Sequence, residues 1–152
     1  MDKMNGIYIV IVSFCVTNFA LAQNPVNWEY SIRKIGDQIF ELHLNASIKD
    51  GWHIYAQVQP RDAISIPTRI RFTSNPLIAL IGHTKEKGNL QKQVIKELKI
   101  EQYDYAENVE FVQLIKLKAK VKTNVNGTVA YQVCTDDQCM PVKEEAFSLN
   151  VE

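Results

Sequence analysis

Cys134 and Cys139 bracket four residues, Thr135-Asp136-Asp137-Gln138, and a pair of thiols at this spacing can close one disulfide or trade it with another protein. A strand-like run, Thr128 to Cys134, enters the loop, and Cys139-Met140-Pro141 leads out toward another strand. The two thiols therefore face each other across a hairpin, where Cα atoms can lie within the ~4.4 to 6.8 Å that a disulfide requires.

Three chemistries compete for this pair. A purely structural disulfide is the common fate of paired cysteines in an exported domain, although so short a ring stabilises by only roughly 2 kcal/mol. A metal site would need two further ligands from His43, His53 or His83, and structural zinc usually takes its ligands as two closely spaced pairs, of which only one exists here. No metal or other cofactor is expected, and each histidine is read as a surface or edge residue. A redox-active pair needs one accessible thiolate to attack and a second thiol close enough to resolve the mixed disulfide. Asp136 and Asp137 between the cysteines disfavour the thiolate, which suits a donor of electrons better than a strong oxidant.

The elements that must hold the pair read as strands. Val26, Trp28, Tyr30 and Ile32 alternate with polar residues before a turn at Ile35 to Gln38; Phe40, Leu42, Leu44, Ala46 and Ile48 repeat the pattern up to Asp50-Gly51. Trp52 to Val58 and Ile64 to Phe72 are predicted as further strands. Ile115, Leu117, Ala119 and Val121 alternate with a row of lysines read as a solvated face, and Phe147, Leu149 and Val151 share one face of a last strand. Asn126-Gly127 reads as a two-residue hairpin turn. Seven or more short strands of this kind predict an all-β, immunoglobulin-like antiparallel β-sandwich in which the local cysteine pair is no inter-sheet staple. Gly82 to about Tyr105 stands apart as long, charged and irregular, with Leu90, Val94 and Leu98 fitting a helix face and Leu98 and Ile100 also fitting a strand. Excursions of this length serve as lids or as plain surface loops.

The first 22 residues read as a cleaved secretory signal: Lys3, an apolar run from Gly6 to Phe19 that carries Cys15, and the small-residue site Ala20-Leu21-Ala22. Residues 23–152 then form one domain, expected to be exported, periplasmic, soluble and monomeric. The 17 basic and 17 acidic residues of the chain balance, which gives no charge bias toward nucleic acid or an anionic membrane.

Tyr131-Gln132-Val133-Cys134 followed by Cys139-Met140-Pro141, with Asp50-Gly51-Trp52-His53-Ile54-Tyr55 upstream, resembles the N-terminal periplasmic domain of DsbD-type thiol:disulfide interchange proteins over about Val26 to Val151. The resemblance implies an immunoglobulin-like sandwich whose cysteine pair takes electrons from a thioredoxin-like domain served by a membrane-embedded conductor. It then passes them to thioredoxin-fold proteins, including disulfide isomerases and cytochrome c maturation factors. Carried over, the second cysteine of the motif makes Cys139 the attacking thiol and Cys134 the resolving one, as part of a protein-disulfide reductase system. Tyr55 corresponds to a tyrosine near the active site, with Tyr131, Asp136 and Asp137 as further neighbours, and the Gly82 to Tyr105 segment is the candidate for a mobile cap over the pair.

Two departures stand out. The best-known members place five residues between the cysteines and an aromatic at the cap's tip, whereas this chain has four and no aromatic between His83 and Tyr103. The sequence contains neither conductor nor thioredoxin-like domain, so both are expected as separate polypeptides. The competing expectation is a non-catalytic binding or adaptor sandwich in which the disulfide only pins a hairpin.

Overall fold

The computed structural model describes residues 24–152; the expected leader over residues 1–22, with Cys15, lies outside the described residues. The alternating segments form β1 (Val26–Gly36) and β2 (Ile39–Ile48), joined by a tight turn in which Gln38 takes a left-handed φ of 59°. All five apolar residues predicted for the inner face of β2 are buried. β8 (Asn108–Leu117) pairs with the far side of β2, and β5 (Ile78–Gly88) pairs with β8, giving an antiparallel sheet in the order β1-β2-β8-β5.

The facing layer is divided. One part is β11 (Lys143–Val151), β9 (Thr123–Tyr131) and β4 (Arg69–Phe72) in that order; the other is β10 (Val133–Cys134), β3 (His53–Tyr55), β7 (Ile100–Ala106) and β6 (Gln91–Ile95). Only Gln132 separates β9 from β10, so one stretch of chain serves both parts. Aromatic side chains join the layers: the Trp28 ring lies 5.4 Å from Tyr131, and Tyr30 lies 5.3 Å from Phe147. Ile54, Tyr105 and Val133 extend the same core under the β10-β3-β7-β6 sheet. The architecture is the expected all-β, immunoglobulin-like antiparallel sandwich, and every strand pair in it is antiparallel.

Four local expectations are corrected. Asn126-Gly127 makes no turn; it lies inside β9, where Gly127 sits between Phe72 and Phe147. A Cβ there would overlap the Arg71 carbonyl oxygen and the Phe147 ring, so the glycine serves close approach of neighbouring groups. The lysine-flanked alternation ends at Leu117, and Val121 is exposed in the bend before β9. Trp52 to Val58 shrinks to the three residues of β3, and Ile64 to Phe72 shrinks to β4. Between β3 and β4, Pro60 and Pro67 supply no N–H, and Val58 and Ile64 stand 75% and 63% exposed.

The Gly82 to Tyr105 segment is neither irregular nor helical. Its first part completes β5, and the rest is the β6–β7 hairpin, which turns at residues 96–99 with Lys99 at a φ of 56°. Pairing of β5 with β8 slips between Ile81 and Lys85, around Gly82 at a φ of 66°. Gln113, buried on β8, accommodates the slip: its amide donates to the Ile81 carbonyl at 3.1 Å and accepts from the Thr84 hydroxyl at 2.9 Å.

Candidate functional site: an asymmetric disulfide at the mouth of a cleft

Cys134 ends β10 and is bonded to Cys139, with the Cα atoms 4.0 Å apart. The closeness follows from the hairpin register. Thr135 N–H donates to the Gln138 carbonyl at 2.8 Å and Met140 N–H to the Val133 carbonyl at 2.9 Å, which leaves Cys134 and Cys139 as the non-hydrogen-bonded pair between them. Pairs of that type are the closest in an antiparallel ladder. The Thr135 hydroxyl accepts from the N–H groups of Asp137 and Gln138 at 3.3 and 3.2 Å, fixing the four-residue turn, and Gln132 donates to the Met140 carbonyl at 3.2 Å on the exit strand.

The two halves of the bond differ in surroundings. Cys134 is 0% exposed, whereas Cys139 is exposed and opens onto a cleft of about 520 Å³. His53 and Tyr55 of β3 and Gln102 of β7 form the floor of this cleft. Gln93 and Ile95 of β6 stand on one side, and Ile64 and Ser65 of the β3–β4 connection also border it. That connection is closed at its base, where Thr68 donates through both its N–H and its hydroxyl to the Tyr55 carbonyl. It is also strapped to β7 by Gln59, whose amide donates to the Tyr103 carbonyl at 2.6 Å and accepts from the Tyr103 N–H at 2.9 Å.

The sheet explains why a cleft forms here. Ile54, Tyr105 and Val133 face the core, so the opposite face of β10-β3-β7-β6 carries His53, Tyr55, Gln102 and Asp104. Four atoms on or beside that face are buried without a hydrogen-bond partner: both Asp104 carboxyl oxygens, the Gln102 amide oxygen and the Ser65 hydroxyl. Burial pushes the Asp104 carboxyl from its ordinary 3.8 up to about 6; the neighbouring Gln93 amide, which stands outside hydrogen-bond geometry, opposes the rise, and Asp136 adds to it. Tyr55 is raised by burial and then by Asp104, which it faces directly across the β3–β7 ladder. His53 is lowered by burial, with Asp136 pulling it upward. Among the described residues no lysine or arginine lines the cleft, so none of them offsets Asp136 and Asp137 there.

Of the residues singled out in the sequence, Cys139, Tyr55, Asp136 and Asp137 meet in the cleft, and Cys134 lies directly beneath. Tyr131 does not join them. Its side chain is fully buried on the core face, where its hydroxyl donates to Glu145 at 2.7 Å and accepts from Asn24 at 2.8 Å. The three histidines are scattered. His43 lies on the outer face of the other sheet, 2.6 Å from Glu110; His83 is exposed on β5; only His53 is beside the cysteines. Among the described residues no three metal-ligating side chains come together. Sequence reasoning missed Asp104, Gln93, Gln102 and the placement of His53, for which the only signal was an unusually polar pair of strands.

Comparison with known proteins agrees with the fold. The profile of the family described as thiol:disulfide interchange protein DsbD, N-terminal, matches residues 20–151. Among solved structures, the N-terminal periplasmic domain of ScsB from Proteus mirabilis is similar at a TM-score of 0.57 and 14% identity, over 85% of this chain and 47% of that one. The chain thus spans about half the length of that ScsB domain. A structure of the complex between the DsbD N-terminal and PilB N-terminal domains from Neisseria meningitidis matches at a TM-score of 0.51 and 15% identity, over 81% of this chain and 80% of that chain. Among curated proteins nothing matches.

Proposed function

This chain belongs to the family of thiol:disulfide interchange protein DsbD N-terminal domains, a thiol-disulfide exchange module with a Cys134–Cys139 disulfide, and we propose that it relays electrons between thioredoxin-fold proteins. The observation that carries the reading is the asymmetry of the bond: Cys139 is exposed at a cleft and Cys134 is sealed in the sheet. A donor thiolate can reach only Cys139, so it attacks there and displaces Cys134. The mixed disulfide is then resolved by the donor's second thiol, leaving both cysteines reduced. In the forward direction the Cys139 thiolate attacks the disulfide of an acceptor, and Cys134 resolves the mixed bond from beneath. Two electrons pass to the acceptor, and the Cys134–Cys139 bond is restored.

The anionic rim suits this direction of flow. With Asp136 and Asp137 in the turn and no lysine or arginine among the described residues of the cleft, a resting thiolate gains no stabilising cation there, and a reduced pair whose thiolate is not stabilised gives up its electrons readily. The Neisseria DsbD N-terminal domain forms a complex with the PilB N-terminal domain, and a protein domain as partner is the part of the reading which that likeness supports. The proposed setting is the periplasm after removal of the leader, with a separate membrane-embedded conductor and thioredoxin-like donor upstream. Disulfide isomerases or cytochrome c maturation factors of thioredoxin fold would be the acceptors.

The test is a transfer experiment. The reduced chain is mixed with an oxidised thioredoxin-fold protein, and thiols on each are counted by alkylation and mass spectrometry. Two thiols should disappear from Cys134 and Cys139 and appear on the acceptor. Retention of both on this chain over hours would overturn the relay.

A further inference from the structure

Cys134 and His53 are direct cross-strand partners. β10 pairs with β3 through only two residue pairs, and Cys134↔His53 is one of them. Residues so opposed hold their Cβ atoms about 4.5 to 5.5 Å apart on the same face of the sheet. The Cys134 side chain is sealed from solvent, whereas the imidazole lines the cleft onto which Cys139 opens. His53 therefore lies between a thiol that water cannot reach and the space from which a partner approaches.

Resolution of a mixed disulfide poses a specific problem here. Cys134 must attack as a thiolate, but a thiolate formed in a buried site without a cation is disfavoured by desolvation. Removing its proton during attack avoids a free buried anion, and the acceptor must be a neutral base adjacent to the sulfur. Resting on the exchange function proposed above, we propose that His53 is that acceptor, a general base for Cys134 in resolution and a proton donor to Cys134 when the bond is opened by a donor.

The step balances. The Cys134 S–H proton goes to the imidazole; the sulfur's electron pair forms the bond to Cys139 Sγ; the Cys139–partner S–S bond breaks, and its electrons leave on the partner thiolate. The imidazolium then returns its proton to solvent or to that thiolate. In the opposite direction the donor's attacking thiol, or solvent, gives its proton to the neutral ring, and the imidazolium so formed protonates Cys134 as it departs.

The groups facing His53 fit the role. Burial lowers its pKa below the ordinary 6.5, so the ring is neutral and able to accept a proton near pH 7. From the turn, Asp136 favours the imidazolium once it forms. From its own strand, Tyr55 packs edge-on to the ring at 5.4 Å between centroids. On the other side β7 offers the small side chain of Ala106 directly opposite, with the Asp104 carboxyl two residues along the strand.

Reaction of the reduced chain with dithiobis(nitrobenzoate) separates the two steps, because attack by Cys139 releases one nitrothiobenzoate and resolution by Cys134 releases a second. With wild type, the second phase should rise with pH through the histidine titration and then level off. His53→Phe keeps an aromatic ring beside Tyr55, and His53→Gln keeps a polar group. In both, the second phase should slow by about 100-fold at pH 7 and keep climbing with pH instead of levelling. Added imidazole should partly restore His53→Ala. A second phase of wild-type rate and pH profile in both His53→Phe and His53→Gln would overturn the assignment. A wild type that releases no second nitrothiobenzoate would instead overturn the exchange function itself, and the role of His53 with it.

Discussion

Cys134 and Cys139 are bonded partners in one hairpin, yet Cys134 is sealed within the sheet and Cys139 stands at a cleft. Cys134→Ala should therefore leave Cys139 free to form a stable mixed disulfide with an oxidised thioredoxin-fold protein. The reciprocal Cys139→Ala should give little adduct, because the remaining thiol lies out of reach. Non-reducing electrophoresis with peptide mapping checks this, and an adduct formed mainly through Cys134 would reverse the assigned order of attack.

Asp104 predicts an inverted pH dependence of stability. Its folded pKa, about 6, lies above the 3.8 expected when unfolded, so the protonated form is the one the fold prefers. Its contribution is intact below pH 4 and is lost as pH rises through about 6, a penalty of about 3 kcal/mol. Asp104→Asn should thus stabilise the protein by an amount of that order at pH 8 and have little effect near pH 4, read from urea unfolding at both values. Equal effects at the two values would contradict the buried, unpartnered carboxyl.

Tyr131 lies three residues from Cys134 but belongs to the core. Tyr131→Phe removes its hydrogen bonds to Glu145 and Asn24 and should cost about 1–2 kcal/mol of stability. The rate of Cys139 alkylation in the reduced protein should stay at the wild-type value. A changed rate with unchanged stability would place the tyrosine in the exchange machinery instead.

Where the chain buries one face of a strand, the sequence is readable. β2 is the clearest case, since Phe40 to Ile48 alternate without exception and all five are buried. The cysteine hairpin was equally legible, because its register is local. Asn126-Gly127 misled because a glycine demanded by close packing against Phe147 looks the same in sequence as one demanded by a turn. β6 and β7 lacked a clean apolar alternation because one face of their sheet is the polar floor of the cleft, so Gln93, Gln102 and Asp104 occupy positions that a sandwich core would fill with valine or isoleucine. The partnership of His53 with Cys134 depends on a pairing between strands some 80 residues apart in sequence, and no local pattern encodes that.

Electron relay requires the Cys134–Cys139 bond to be opened and closed in service. Its reduction potential, measured by equilibration against thioredoxin-type redox couples with quantitative alkylation, tests this most directly. A relay between thioredoxin-fold proteins predicts a value between about −200 and −270 mV. A value below about −300 mV would mark a bond closed once during maturation and would contradict the relay.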